Sequence, residues 1–416
     1  MSAYLFKNAR LLDPLHPELL DGWQLLVQDG KVAELSDRDI RASGASVVDL
    51  RGKTLMPGLI DLHVHVMAGQ LNLAAQVHLP NVFVTLRALP ILQGMLRRGF
   101  TTVRDAGGAG RPLKHAIESG LAQGPRLFVA GRALSQTGGH GDMNAQSDFN
   151  ANRLQCACCV RVGAIARVVD GVDALRQAVR EEFQMGADQI KIMASGGVAS
   201  PTDPVGAFGY SEDEIRAVVD EARGRGTYVM AHAYTPAAIE RAVRCGVRTI
   251  EHANLCDAPT AAVMAAHQAF AVPTLVTYEA LATEGAQYGL PPESVAKIAD
   301  VRDAGLRALD TLKQAGVKIG FGTDLLGESH RLQSDEFRIR AQVQSPHEVI
   351  ASATTVAAEV LGQEGQLGRL QPGAIADLLV VDGNPLADLD CLAGQGERIA
   401  LVMKAGKVEF GSLGSL

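Results

Sequence analysis

No basic excess runs through this sequence: its 416 residues carry 39 Lys and Arg against 46 Asp and Glu, a formal charge of −7. Nonspecific binding to nucleic acid or to an anionic membrane surface needs a basic face, so neither is expected as a partner. Apolar runs are short as well, and none reaches the roughly 18 residues of a membrane-spanning helix. Residues 1–14 read as a short apolar strand (Tyr4, Leu5, Phe6) and a turn. They lack the basic flank, long apolar stretch and small-residue cleavage site of a secretory signal, so the expected location is the cytoplasm. Cysteine is sparse, six in all, and a disulfide-dependent fold is not expected at this size. Cys156, Cys158 and Cys159 cluster in CACC, with no second Cys pair or Cys/His pair at zinc-site spacing. A loop of reduced thiols is the expectation there. Charged residues are 20% against 47% hydrophobic, which excludes disorder.

What is abundant is glycine, 44 residues with no Gly-X-Y period, as in chains with many tight strand-to-helix turns. Up to about Thr54 the segments YLFKNARLL, WQLLVQDGKVAEL and ASVVDLRGK alternate with period two, and Asp29-Gly30 is a hairpin signal. From about Ala374 the same texture returns in ADLLVVDGNPL and IALVMKAGKVEFG. Both ends therefore predict one β layer, a small β-sandwich around an intervening domain. The expected limits are residues 1–54 and 363–416 for the sandwich and 55–362 for the domain between.

That domain repeats strand, loop and helix. LMPGLIDLHVH, GFTTVRDAGG, PRLFVAGRALS, ADQIKIMASGG, TYVMAHA, VRTIEHA, AVPTLVT and VKIGFGTD are roughly eight strand candidates, the number that closes a parallel barrel. Between some of them lie amphipathic helices. Ser211 with Glu214 predicts a capping box at the start of one, and Pro236 and Gly246 bracket another. The expected fold is α/β, a TIM-like (β/α)8 barrel. Two long loops, residues 135–168 with GGHGD and 195–210, belong on the catalytic face, where loops follow barrel strands.

The ionisable residues fall at strand ends. His63 and His65 are two apart and project to one side. Lys191 stands in an apolar strand where lysine is out of place; His232, His252 and Asp324 close TYVMAH, TIEH and GFGTD. Each has a plainer reading: a structural histidine, a snorkelling lysine, a helix-capping aspartate. A barrel that gathers all of them at one mouth makes those readings jointly improbable. Imidazoles with a carboxylate suit zinc, manganese and other first-row divalents better than calcium. An ammonium cannot ligate, but a neutral lysine can take up carbon dioxide, and the resulting carbamate can bridge two metals at ~3.5–4 Å.

Together PGLIDLHVH, the strand lysine, HAY, EHA, GTD and the flanking β layer resemble the amidohydrolase superfamily, in its binuclear-metal branch, over essentially the whole chain. Within it the chain is similar to the imidazolonepropionase-like and Xaa-Pro-dipeptidase-like group. TVRDAGG, ALSQTGGHGD, KIMASGGVASPTDP and GFGTDLLGE look most like bacterial amidohydrolases that hydrolyse ochratoxin A. The resemblance implies that His63, His65 and Asp324 hold one metal, zinc first, that His232 and His252 hold the other, and that carboxylated Lys191 bridges them. It also implies a bridging hydroxide as nucleophile, Asp324 as proton shuttle, His140 assisting at the carbonyl oxygen, and a large homo-oligomer. Deaminases of the superfamily carry His-x-x-Glu where this chain has His232-Ala-Tyr-Thr, which favours amide hydrolysis.

The expected activity is cleavage of an amide to a C-terminal hydrophobic L-amino acid, carboxypeptidase-like, on ochratoxin A or N-acyl-L-phenylalanine type substrates. The alternatives are an Xaa-Pro dipeptidase-like or a cyclic amide or lactone hydrolase on the same site; a non-catalytic scaffold would have lost its ligands. Candidate substrate contacts are Arg104, Arg132 and Tyr234 for a carboxylate, with Val198, Phe208, Leu325 and Leu326 as an apolar wall.

Overall fold

The computed structural model describes residues 3–76, 78–143, 164–198, 203–290 and 292–413. The cluster of Cys156, Cys158 and Cys159 lies outside the described residues. Five strands come first: β1 (Tyr4–Leu11), β2 (Leu20–Gln28), β3 (Lys31–Ser36), β4 (Ser46–Asp49) and β5 (Thr54–Pro57). β2 and β3 form the hairpin that Asp29-Gly30 predicts, with φ of 53° and 78° at the two turn residues. An Asp-Gly pair accepts positive φ at both positions, as the right-handed strand twist requires.

The next nine strands are β6 (Leu59–Val64), β7 (Phe100–Asp105), β8 (Arg126–Val129), β9 (Ala133–Ser135), β10 (Ala166–Val168), β11 (Ile190–Met193), β12 (Val229–Ala233), β13 (Thr249–His252) and β14 (Phe270–Val272). All their pairings are parallel, in a three-stranded sheet β6-β7-β8 and a six-stranded sheet β10-β9-β11-β12-β13-β14. β6, β7, β11, β12, β13 and β14 are buried at every residue, as strands covered on both faces must be. PRLFVAGRALS splits into β8 and β9, and β10 forms inside what reads as an open loop because Ala166–Val168 finds the free edge of β9.

VKIGFGTD, expected as a strand, is instead an extended connection with a single bridge, Ala271 to Ile319. It joins the sheets nonetheless. Gly320 N–H donates to Ala271 O, and Leu62 N–H to Phe321 O, both at 2.8 Å. Glycine is required here by close approach: a Cβ at Gly320 would lie 2.5 Å from Leu62, and one at Gly322 2.5 Å from Val272. On the far side Asp188 N–H donates to Val129 O at 2.7 Å, so β8 also meets the segment leading into β11.

Helices cover these sheets. The helix Glu212–Gly224 opens with the expected capping box, Ser211 and Glu214 bonding reciprocally. The helix Pro236–Arg244 begins on its proline, and Gly246 follows its end with φ 95°. The chain then returns through β15 (Leu378–Val381), β16 (Ile399–Lys404) and β17 (Lys407–Gly411) to pair β15 with β5. Both ends thus share one eight-stranded sheet, in order β17-β16-β15-β5-β1-β2-β3 with β4 on β1. Phe6, Leu25, Val27, Leu378, Val380 and Leu401 share its core. Among the described residues no helix is long and apolar enough to cross a membrane.

Candidate active site

Parallel register aligns the strand ends: Met193 pairs with His232, and Ala233 with His252. His63 and His65 from the end of β6, Lys191 from β11, His232 from β12, His252 from β13 and Asp324 from the glycine-flanked connection consequently line one recess, with His140 and Tyr234 beside them. The recess holds about 600 Å³, counting its open mouth. Asp324 Oδ1 lies 3.4 Å from His63 Nε2 and 3.1 Å from His65 Nε2, and its Oδ2 3.9 Å from His252 Nδ1. Left-handed backbone at His252 (φ 74°), Ala253 (φ 55°) and Asp324 (φ 53°) interrupts the regular alternation at these positions. Non-glycine residues rarely adopt it, and such departures gather at functional sites.

Every imidazole is held by its other nitrogen. His63 Nδ1 meets Glu251 Oε2 at 2.7 Å, and His65 Nδ1 donates to Gly107 O at 2.8 Å. His232 Nε2 donates to Gly196 O at 3.0 Å, and His252 Nδ1 meets Thr274 Oγ1 at 2.8 Å. Metal-ligating histidines are held in this way, because the second contact fixes tautomer and ring orientation. Nε2 of His63, His65 and His252 and Nδ1 of His232 remain as donors toward an ion. One donor atom each from His63, His65 and Asp324 lies within 4.8 Å of the others. The residues therefore fit a divalent metal centre.

Electrostatics agree with that fit. Burial holds His232 and His252 well below the ordinary imidazole range, so both are neutral donors. Burial lowers the Lys191 amine to about 8, even with Glu251 and Asp324 near it. Burial also opposes ionisation of Glu251, and Arg104 and His63 overcome it, lowering that carboxyl to about 2.

Of the expected substrate contacts, Tyr234, Val198 and Leu326 line the recess and four residues do not. Arg104 is fully buried, with its guanidinium engaged by Leu62 O, Tyr228, Thr249 and Glu251. Arg132 turns to Glu182 on the helix Val172–Gln184, at 2.8 Å. Neither is free to meet a carboxylate in the recess. Phe208 is 42% exposed under the Arg241 guanidinium, and Leu325 packs on Val276 and Ala280 instead. Two residues escaped the sequence reading. Tyr278, on the helix Leu275–Glu284, lines the recess and bonds the Tyr234 hydroxyl at 2.8 Å. Glu251 carried a visible signal, an acid inside the apolar strand TIEH, the same kind that singles out Lys191.

The chain is similar to known proteins over nearly its whole length. The profile of the Amidohydrolase family matches residues 54–408. An ochratoxinase from Aspergillus niger is 30% identical over 421 residues, covering 96% of this chain and 85% of its own. A crystal structure of an amidohydrolase superposes with a TM-score of 0.98 at 69% identity, covering 99% of this chain and all of that one. A prolidase complexed with N-methylphosphonate-L-proline gives a TM-score of 0.96 at 55% identity, with the same coverage.

Proposed function

This chain belongs to the amidohydrolase family and is a hydrolase acting on amide bonds, and from that premise we propose that it cleaves an amide to a C-terminal hydrophobic L-amino acid at a binuclear metal centre. The observation that carries this reading is the convergence of four anchored imidazoles, Lys191 and Asp324 on one recess. His63, His65 and Asp324 would hold one divalent ion, zinc first, and His232 and His252 the second. Lys191 would join them as a carbamate: its neutral amine adds to the carbon of carbon dioxide and loses one proton. We read the two parallel sheets and their closing connection as a (β/α)8 barrel, residues 55–362, and the shared sheet as a β-sandwich from residues 1–54 and 363–416.

Two divalent ions held by these residues would supply polarisation of the scissile carbonyl and would lower the pKa of water from 15.7 toward about 7. The protein's own groups do the rest. Asp324 takes the proton from the attacking oxygen and delivers it to the departing amine, as general base and then general acid. His140, its ring held by Asp203 at 3.1 Å, would assist at the carbonyl oxygen as charge gathers on it. Tyr234, which lines the recess, would meet the substrate carboxylate through its hydroxyl. Leu73, Val198, Leu281 and Leu326 supply apolar wall for the side chain and acyl group.

The similarity to ochratoxinase supports an aromatic acyl group on phenylalanine. A second reading, an Xaa-Pro dipeptidase, is favoured by the prolidase that carries a proline phosphonate at 55% identity. The test compares kcat/KM for N-aroyl-L-phenylalanine, its methyl ester, and the lysine and proline analogues. The free acid should lead its ester by at least ~10-fold, the lower end of the ~1.5–3 kcal/mol typical of a hydrogen bond to a charged group. Equal rates for acid and ester would remove the carboxypeptidase-like assignment, and a fastest proline analogue selects the second reading.

A further inference from the structure

Arg104 spends its hydrogen-bonding capacity inside the fold and does not line the recess. Its guanidinium is a fork with five N–H donors, and all the partners lie inside the protein. Nε donates to Leu62 O at 2.6 Å, and Nη1 to Thr249 Oγ1 at 3.2 Å and the Tyr228 hydroxyl at 3.3 Å. Nη2 donates to both Glu251 oxygens, at 3.0 and 3.2 Å. The side chain thus leaves β7, crosses β6 and reaches β13, tying together strands that belong to different sheets. Arg104 and Glu251 are both at 0% exposure.

What lies at the end of this chain of contacts is His63. Glu251 Oε2 meets His63 Nδ1 at 2.7 Å, while Oε1 accepts from the Thr249 hydroxyl at 2.5 Å. The other three histidines lean on neutral partners, two carbonyls and a threonine hydroxyl. A carboxylate can only accept, so His63 carries its proton on Nδ1 and presents the Nε2 lone pair beside Asp324. A carboxylate partner also makes an imidazole a stronger donor. Buried without a counter-charge, that carboxylate would be strongly destabilising. Arg104 compensates it, fixes its rotation through the two contacts from Nη2, and grips the peptide oxygen just before His63.

We propose that Arg104 and Glu251 form a buried positioning pair that sets the tautomer and donor strength of His63 without touching substrate. This rests on the reading that His63 is a metal ligand. It also explains why a bulky cation occupies the interior of the fold below the recess.

The test measures zinc affinity of the full-length protein, stripped and reloaded in competition with a chromophoric chelator, alongside kcat, KM and melting temperature. Glu251→Gln keeps the shape and an acceptor but removes the charge. Zinc affinity should fall about 10–100-fold, the usual effect of losing an outer partner of a metal-bound histidine, and kcat should fall with KM little changed. Arg104→Lys keeps the charge but loses the fork and should give a smaller loss of the same kind. The double variant Glu251→Gln/Arg104→Met removes both charges. A merely structural pair would let it recover melting temperature and zinc affinity together; a positioning pair recovers only the first. Wild-type zinc affinity in Glu251→Gln or in the double variant overturns the proposal alone. A wild-type protein that binds none of zinc, manganese or cobalt overturns the metal-centre reading, and this proposal with it.

Discussion

Gly197→Ala is the sharpest perturbation that the geometry offers, because it adds one methyl group and no chemistry. A Cβ at position 197 would lie 2.2 Å from His140 Cε1 and 2.3 Å from Nδ1. Carbon atoms rest at about 3.5–4 Å, so the ring must retreat by more than about 1 Å. It is held on both counts that matter: Nδ1 lies 3.1 Å from Asp203, and the ring stacks on His232 with centroids 4.2 Å apart. Displacement of about 1 Å in a catalytic group can cost ~10²-fold, and that is the expected loss in kcat/KM on N-aroyl-L-phenylalanine. Stability should fall by no more than the ~1–3 kcal/mol typical of local overpacking, read as a melting shift. His140→Ala should lose a similar factor, and the double variant should lose no more than either, since both act on one ring. If Gly197→Ala stays within threefold of wild type while His140→Ala does not, the ring is free to relocate and the reasoning fails. Fully additive losses would show that Gly197 acts through something other than His140.

Further expectations follow from the other groups. Lys191→Ala should lose metal content and turnover together, with partial rescue by short carboxylic acids; full occupancy and normal turnover would end the bridging role. Because burial lowers the Lys191 amine to about 8, about half of it is neutral at that pH, against roughly 1 in 300 for an ordinary lysine. The initial rate of carbon-dioxide-dependent zinc uptake by stripped protein should therefore rise with pH, reach half its plateau near 8 and level off above that; a flat profile refutes it. Asp324→Asn should keep the fold and lower kcat by at least ~10², whereas a change confined to KM would remove the proton shuttle. Tyr234→Phe should bring the rates of acid and methyl ester together, and an undiminished preference for the acid would place carboxylate recognition elsewhere.

The site was legible wherever a residue conflicted with its surroundings. A lysine in QIKIM and histidines two apart after an apolar strand stand out in one dimension, and the structure brings them to one recess. Arginines do not announce themselves in that way. Arg104 and Arg132 each follow or end a strand as a substrate-binding residue would, but their direction depends on Glu251 and Glu182, 147 and 50 residues away. Tyr278 was invisible because it enters from a helix whose place against the recess is purely tertiary. The Asp29-Gly30 hairpin and the Ser211 capping box were legible because their causes are local. VKIGFGTD misled for a physical reason: its glycines let it press against Leu62 and Val272, which calls for extended backbone but not for a continuous ladder.

The sheet shared by the two ends imposes an order in time. β1 through β5 can pair among themselves as soon as they are made. The other edge of β5 waits for β15, about 320 residues later. At about 5–20 residues per second of synthesis, that edge stays unpaired for roughly 15–65 s. An open edge is a template for association with other chains. Growing chains of this protein should thus be most prone to aggregate, and most dependent on chaperones, over that interval. A circular permutant that joins β15–β17 directly ahead of β1 would abolish the wait while leaving every pairing in the sheet unchanged.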